Sequence, residues 1–110
     1  MIGAIRRGGV YFAQAVEGGE RPVVVVSWDS LNGALRKPIV CTVTSTDRER
    51  ALATAVSVPA GEAGLERDSY VLCHELSTLV AERFRREVGL FSRERMLDIE
   101  RALRVALDLG

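Results

Sequence analysis

Four consecutive valines, Val23 to Val26, directly follow an Arg-Pro pair and constrain this chain most strongly. A short run of β-branched residues between turn-forming residues is typical of a strand buried on both faces. Proline is tolerated at the first residue of a strand because the ladder loses little there. The run therefore predicts a core strand, with the charge of Arg21 at its mouth.

Other short apolar runs between turn-forming residues predict a small, mainly β domain. Strands are predicted at residues 10–16, 23–26, 39–43, 55–58, 70–73 and 88–91. The first two strands are too close in sequence for a crossover helix, which favours an antiparallel sheet or small barrel. Residues 29–35 predict one helical turn, and residues 78–86 predict up to two.

The apolar period changes after Ser92. Met96, Ile99 and Leu103 recur at helical spacing, and Ser92 is a suitable N-cap. We expect an amphipathic C-terminal helix of about four turns packed on the sheet. The length of 110 residues fits a single domain spanning 1–110.

The charge balance excludes some classes of protein. The chain has 15 basic and 15 acidic residues, and a net charge of zero argues against a protein that coats nucleic acid non-specifically. Any phosphate contact must therefore be local. There is no apolar segment long enough to span a membrane, and the N-terminus lacks the apolar region of a secretion signal. A soluble, cytoplasmic protein is predicted.

Cysteine and histidine content limits the metal and thiol chemistry. Cys41 and Cys73 are expected to be reduced core residues. One histidine and two cysteines do not supply the usual zinc ligands, and the acids form no tight cluster along the chain. We predict no metal and no cofactor. Cys73 and His74 are adjacent, so in a strand their side chains point to opposite faces and do not form a catalytic dyad.

Three polar or aromatic features allow two interpretations each. The segment Val43–Arg50, "VTSTDRER", is either a polar strand exit or a phosphate-contacting strand end with Arg48 and Arg50 beside it. Arg21 is either an ordinary surface charge or a functional one. Trp28 either packs in the core or at an interface, or stacks on a nucleic-acid base.

Six blocks in order resemble the MazF/PemK family of toxins from bacterial toxin-antitoxin pairs: "RRGGVYFA", "RPVVVVSWDSLN", "VTST", "LERDSYVLCHELST", "VGLFSRERM" and "ALRVALDLG". The resemblance implies a small SH3-like β-barrel with a C-terminal helix, as in MazF and CcdB, and a homodimer. It also implies a metal-independent endoribonuclease that cuts single-stranded RNA of the mRNA class, leaving a 2′,3′-cyclic phosphate. A cognate antitoxin with an acidic, disordered tail is the implied partner.

The resemblance also implies roles for individual residues. Arg21 matches the family's phosphate-binding and catalytic arginine, and Thr44 and Ser45 match its Thr-Ser step at the scissile phosphate. His74 and Glu75 fall where relatives carry groove residues, and His74 is the candidate general base or acid because imidazole titrates near neutral pH. Together with Glu75, the residues Trp28, Arg48 and Arg50 are the candidate RNA-binding set.

The chain also departs from the family pattern. The connection "AVEGGE" is shorter than in many relatives, and Gly9 and Ser77 replace a customary acid and arginine. These departures leave altered sequence preference, weak activity or loss of activity open. The alternative function is a non-catalytic binding protein on the same fold, either a gyrase-poison-like inhibitor or a degenerate toxin that binds an antitoxin.

Overall fold

The computed structural model describes residues 2–15 and 18–110, which form one antiparallel sheet and two α-helices. The strands are β1 (Gly9–Gln14), β2 (Glu20–Val25), β3 (Ile39–Thr44), β4 (Ala55–Val58), β5 (Ser69–Thr78) and β6 (Phe84–Leu90), and the helices are α1 (Asp29–Leu35) and α2 (Arg93–Ala106). Their order in the sheet is β4-β5-β3-β2-β1-β6. No helix in the described part of the chain is long and apolar enough to cross a membrane.

The predicted fold class, mainly β with α, is confirmed. All six predicted strands are present, β4 and α1 have the predicted bounds, and α2 begins directly after Ser92. Val16, the last residue of the predicted first strand, lies outside the described residues. β5 continues to Thr78 rather than ending at Cys73, and β6 begins at Phe84 rather than Val88.

The helix predicted at residues 78–86 is wrong. Thr78 ends β5, and a short 3-10 turn at Ala81–Arg83 is followed by β6. The backbone N–H of Leu79 donates to the carbonyl of Pro38 at 3.1 Å, and that of Ala81 donates to the carbonyl of Arg36 at 2.9 Å. These tertiary bonds hold the segment against the turn before β3, so helical bonding is limited to the short 3-10 turn.

The gap between the two edge strands is covered by a turn rather than by a ladder. Among the described residues, β4 and β6 are the sheet edges and do not pair with each other. The turn Glu62–Gly64, which follows β4, packs directly on β6. A Cβ at Gly64 would overlap the carbonyl of Val88, and a Cβ at Gly89 would overlap the backbone of Ala63. Glycine at both positions therefore permits this close approach, whereas closure of the predicted barrel stays a prediction.

The helix α2 packs on the sheet through its apolar face. Met96, Ile99 and Ala102 are buried in one core cluster with residues of β1, β2, β3 and β5. The Ser92 hydroxyl accepts the N–H of Arg95 at 3.1 Å, as expected of an N-cap. The Arg95 guanidinium donates to both carboxylate oxygens of Glu62, at 2.7 and 2.9 Å, and so joins α2 to the turn that follows β4.

A large bulge in β5 determines where the residues after Leu72 lie. In the pairing with β3, Thr42 stands opposite Leu72 but Cys41 stands opposite Leu76. Residues 73–75 therefore have no paired residue in β3. The N–H of Cys73 donates instead to the carbonyl of Thr54 at 2.9 Å. The bulge buries Cys73 and turns the next two side chains outward.

The prediction of reduced core cysteines is confirmed. Cys41 and Cys73 are buried and carry free thiols. The Cys73 thiol beside it and burial together raise the pKa of Cys41, so this thiol stays protonated. Both cysteines therefore act as small apolar residues of the core.

Gly9 has a packing explanation. A Cβ at this position would collide with the ring of Tyr11, which is itself buried. The Tyr11 hydroxyl accepts the backbone N–H of Arg6 at 3.2 Å, which fixes the ring there. The space that a side chain at position 9 would need is thus occupied by Tyr11.

Candidate functional site

A groove of about 550 Å³ opens where β2 begins and β3 ends. Arg21, Thr44 and Ser45, three of the predicted site residues, all line it. The ladder between β2 and β3 ends at the pair of Val23 and Thr42, and Arg21 and Thr44 each lie two residues beyond this pair on their own strands. The groove therefore contains a guanidinium and two hydroxyls contributed by neighbouring strand ends.

The local sequence explains why Arg21 is displayed. Residues Val23, Val24 and Val25 are buried, Pro22 is half-buried and Arg21 is exposed. The buried valines fix the strand in the core. Pro22 is the third residue of β2 rather than its first, and it restricts the backbone next to Arg21. The arginine is thus held at a rigid position with its fork of donors available to a bound anion.

The hydroxyl of Thr44 is oriented by a local hydrogen bond. Its Oγ1 accepts the backbone N–H of Thr46 at 3.1 Å. One lone pair of this oxygen is thereby engaged, while its O–H remains able to donate. A donor in this position suits a phosphate oxygen next to the Arg21 guanidinium.

The groove residues that were not singled out from the sequence include Phe12, Glu20, Glu66, Arg67 and Arg86. The guanidinium carbon of Arg86 lies 4.4 Å from the centroid of the Phe12 ring, and the two residues are paired across β1 and β6. The lining thus has three arginines and two glutamates, which gives a local positive excess in a chain of zero net charge. The sequence signal for this contact was an aromatic residue in one strand and an arginine in another. Only the register of the two strands shows that these residues face each other.

His74 and Glu75 lie elsewhere, on the bulge of β5. The Nδ1 of His74 is 2.7 Å from Oγ1 of Thr54, and its Nε2 is 3.0 Å from Oε1 of Glu49. Both partners belong to the connection between β3 and β4, and neither His74 nor Glu75 lines the groove. The structure therefore does not bring His74 together with Arg21 and Thr44, and its catalytic role stays a prediction.

The bulge also assembles a cluster that the sequence did not suggest. One donor atom each from Glu49, His74 and Glu75 lies within 4.8 Å of the others, close enough to share a cation. The acids are far apart in sequence, so only the fold reveals this cluster. It lies outside the groove lining.

The other predicted RNA-binding residues are exposed but also lie outside the groove. Arg48 and Arg50 lie in the connection after β3, where the Arg50 guanidinium is 3.8 Å from the carboxylate of Asp47. Trp28 precedes α1 and is 70% exposed, which excludes the core position considered for it. Stacking on a base and packing at an interface both remain open for this residue.

Comparisons with known proteins agree on one family. Residues 6–107 match the model of the PemK-like, MazF-like toxins of type II toxin-antitoxin systems. The chain is similar to endoribonuclease MazF of Staphylococcus epidermidis, with 30% identity covering 96% of this chain and 93% of that protein. It is also similar to endoribonuclease EndoA of Bacillus subtilis, with 32% identity and 96% of each chain covered.

Solved structures show the same fold. An endoribonuclease from a mycobacterial species, in complex with its cognate antitoxin, superposes with a TM-score of 0.84 at 26% identity, covering 94% of this chain and 95% of that one. The Mycobacterium tuberculosis toxin MazF-mt6 superposes with a TM-score of 0.82 at 26% identity, covering 93% and 98%. The chain therefore belongs to the PemK-like, MazF-like toxin family of type II toxin-antitoxin systems.

Proposed function

We propose that this chain is an endoribonuclease toxin that cuts single-stranded RNA, of the mRNA class, without a metal ion. The observation that carries the proposal is the shared groove of Arg21, Thr44 and Ser45. The family supports the activity, because the similar proteins from Staphylococcus epidermidis and Bacillus subtilis are named endoribonucleases. Sequence preference would come from the groove surfaces around the scissile phosphate.

The reaction needs a proton acceptor, a proton donor and a stabiliser of the charged phosphorane, all of which the groove can supply. The 2′-hydroxyl of the nucleotide attacks the adjacent phosphorus, a 2′-O–P bond forms, and the P–O5′ bond breaks. The products are a 2′,3′-cyclic phosphate and a 5′-hydroxyl. Arg21 would hold two oxygens of the phosphorane, and Thr44 and Ser45 would donate hydrogen bonds to it.

Proton transfer is assigned to the carboxylates that share the groove. Glu20 and Glu66 line it together with Arg21, and either carboxylate can accept the proton of the 2′-hydroxyl as the new bond forms. The proton is returned to the leaving 5′-oxygen. His74, held against Glu49 and Thr54, acts in this proposal as a positioning residue for the connection between β3 and β4.

A single-stranded substrate follows from the geometry of the attack. The 2′-hydroxyl must come in line with the leaving oxygen, which the regular A-form duplex resists. Single strands also expose their bases to protein surfaces. Because an mRNA substrate is found there, the cytoplasm remains the proposed location.

Two protein partners belong to this proposal. The first is a second copy of the chain in a homodimer. The second is a cognate antitoxin whose acidic, disordered tail would bind near the three groove arginines, as charge complementarity favours. A solved relative bound to its cognate antitoxin supports this pairing.

The test is to incubate the purified chain with mixed-sequence single-stranded RNA in excess EDTA and to identify the product ends. Cyclic phosphates and 5′-hydroxyls are the expected ends. Cleavage that requires added divalent cation would contradict the metal-independent mechanism. Such a requirement would point instead to the Glu49, His74 and Glu75 cluster.

A further inference from the structure

A second pocket, of about 380 Å³, also has Arg21 in its lining. Arg21 lines both cavities, so a molecule whose anionic group is bound by this guanidinium can extend into either one. The volume falls in the lower part of the range, about 300–1,000 Å³, that is typical of small-ligand pockets. This pocket has no part in the reaction described above.

The floor of the second pocket is apolar and rigid. Ala13, Val23, Val40 and Leu79 are buried and come from β1, β2, β3 and the segment after β5. The small side chain of Ala13 leaves depth beside Arg21, its partner across the ladder. Such a surface suits a flat, weakly polar group rather than a second phosphate.

The rim of the second pocket carries hydroxyl groups. Thr42, Ser77 and Thr78 line it, and Arg21 is the charged residue of the lining. Hydroxyls both donate and accept hydrogen bonds, so they can satisfy the mixed edge of a heterocyclic base. A single positive charge beside hydroxyls and an apolar floor fits a nucleotide, whose phosphate binds at Arg21 while its base enters the pocket.

Ser77 keeps the mouth of the pocket open. Its Cα is paired with that of Val40 in the ladder between β3 and β5, and the residue is exposed. An arginine side chain at position 77 would cover the floor, so the small serine leaves the pocket open.

We propose that the second pocket binds one nucleobase of the RNA, next to the phosphate held by Arg21, and that it sets the base preference at that position. The inference rests on the proposed ribonuclease function and deepens it. Thr42, Ser77 and Thr78 are therefore specificity residues. The reacting atoms remain with the groove residues.

The experiment uses the full chain and a pool of randomised single-stranded RNA in EDTA, with the cut sites read by sequencing. Ser77→Arg fills the mouth, and Thr42→Val removes one hydroxyl at constant volume. Ser57→Arg is the matched control, because it adds the same charge at an exposed strand serine outside both cavities. Thermal melts establish that each variant folds.

We expect Ser77→Arg to reduce base preference at one position about fivefold or more, and Thr42→Val to reduce it about 2- to 10-fold. Preferences at other positions and the Ser57→Arg profile should match the wild type. Unchanged preference in both variants, while the wild type cuts with clear preference, would overturn this inference alone. A change of oligomeric state with unchanged preference would assign the pocket to a protein interface and overturn it too. If the folded wild type cut no RNA, the proposed function would fail, and this inference with it.

Discussion

The imidazole of His74 is 3.0 Å from the carboxylate of Glu49 and 2.7 Å from the hydroxyl of Thr54. His74 lies on the bulge of β5, whereas both partners lie between β3 and β4. The ring thus ties the connection after the Thr44 strand end to the neighbouring strand. This geometry favours a positioning role over direct proton transfer in the groove.

Removal of this ring should loosen the connection. In His74→Ala, we expect trypsin to cut after Arg48 or Arg50 several-fold faster, because the exposed segment loses both side-chain bonds. Glu82→Ala, on the turn before β6, is the control. A pH-rate profile of His74→Gln separates the two roles: loss of a positioning residue lowers the rate at every pH, whereas disappearance of the acid limb of the wild-type profile would establish the catalytic role.

The close approach between the Glu62–Gly64 turn and β6 predicts a large effect on stability. Gly89→Ala should lower the free energy of unfolding by more than about 2 kcal/mol, because the new methyl overlaps the backbone of Ala63. Gly33→Ala is the matched control in α1, where no atom lies within 4 Å of the added carbon. It should be neutral or stabilise by up to about 1 kcal/mol. Equal urea midpoints for the two variants would contradict this packing.

The ion pair between Arg95 and Glu62 predicts pH-dependent stability. Hydrogen bonds from Arg95 hold the pKa of Glu62 below its ordinary value of 4.5. The contribution of a carboxylate with a lowered pKa is present above that value and is lost as the pH falls through the folded pKa. Glu62→Gln should cost about 1 kcal/mol near pH 7 and progressively less below about pH 4. Urea unfolding across this range tests it, with Glu82→Gln as control. A deficit that persists at acid pH would exclude this ion pair as its source.

The arginine that stacks on Phe12 should contribute a phosphate contact. With RNA carrying a 2′-deoxy nucleotide at the cut site, Arg86→Gln should weaken binding and reduce the magnitude of the salt-dependence slope by about 0.7. Arg104→Gln on α2 is the control. Fluorescence anisotropy at several salt concentrations gives both slopes. If the Arg86→Gln and wild-type slopes coincide, Arg86 makes no such contact.

Local sequence patterns were sufficient to predict most of the fold. The valines after Pro22 are favourable only in a buried strand, and the apolar spacing after Ser92 is favourable only in a helix with one buried face. These two patterns therefore predicted β2 and α2. The region 78–86 could not be predicted in this way, because its backbone bonds go to Pro38 and Arg36, which are distant in sequence.

Pairing between strands decided which candidate residues meet. Arg21 and Thr44 come together because β2 and β3 are neighbours in register. His74 was predicted to lie near them, but the bulge of residues 73–75 directs it toward Glu49. Arg86 was not predicted as a site residue, because its partner Phe12 lies on the first strand and Arg86 lies on the last. A bulge and a register are properties of two strands, which a single segment does not encode.

The proposed cleavage requires Arg21 and Thr44 to act on RNA in one groove. The deciding measurement is the single-turnover cleavage rate of a single-stranded RNA in EDTA for the wild type, Arg21→Ala, Thr44→Val and the control Arg104→Ala. We predict a loss of about 10²- to 10³-fold for Arg21→Ala, a loss of at least about tenfold for Thr44→Val, and a control rate close to wild type. An Arg21→Ala rate equal to wild type would contradict the proposed role of Arg21. Intact RNA with folded wild-type protein would contradict the ribonuclease function itself and favour a non-catalytic binding protein.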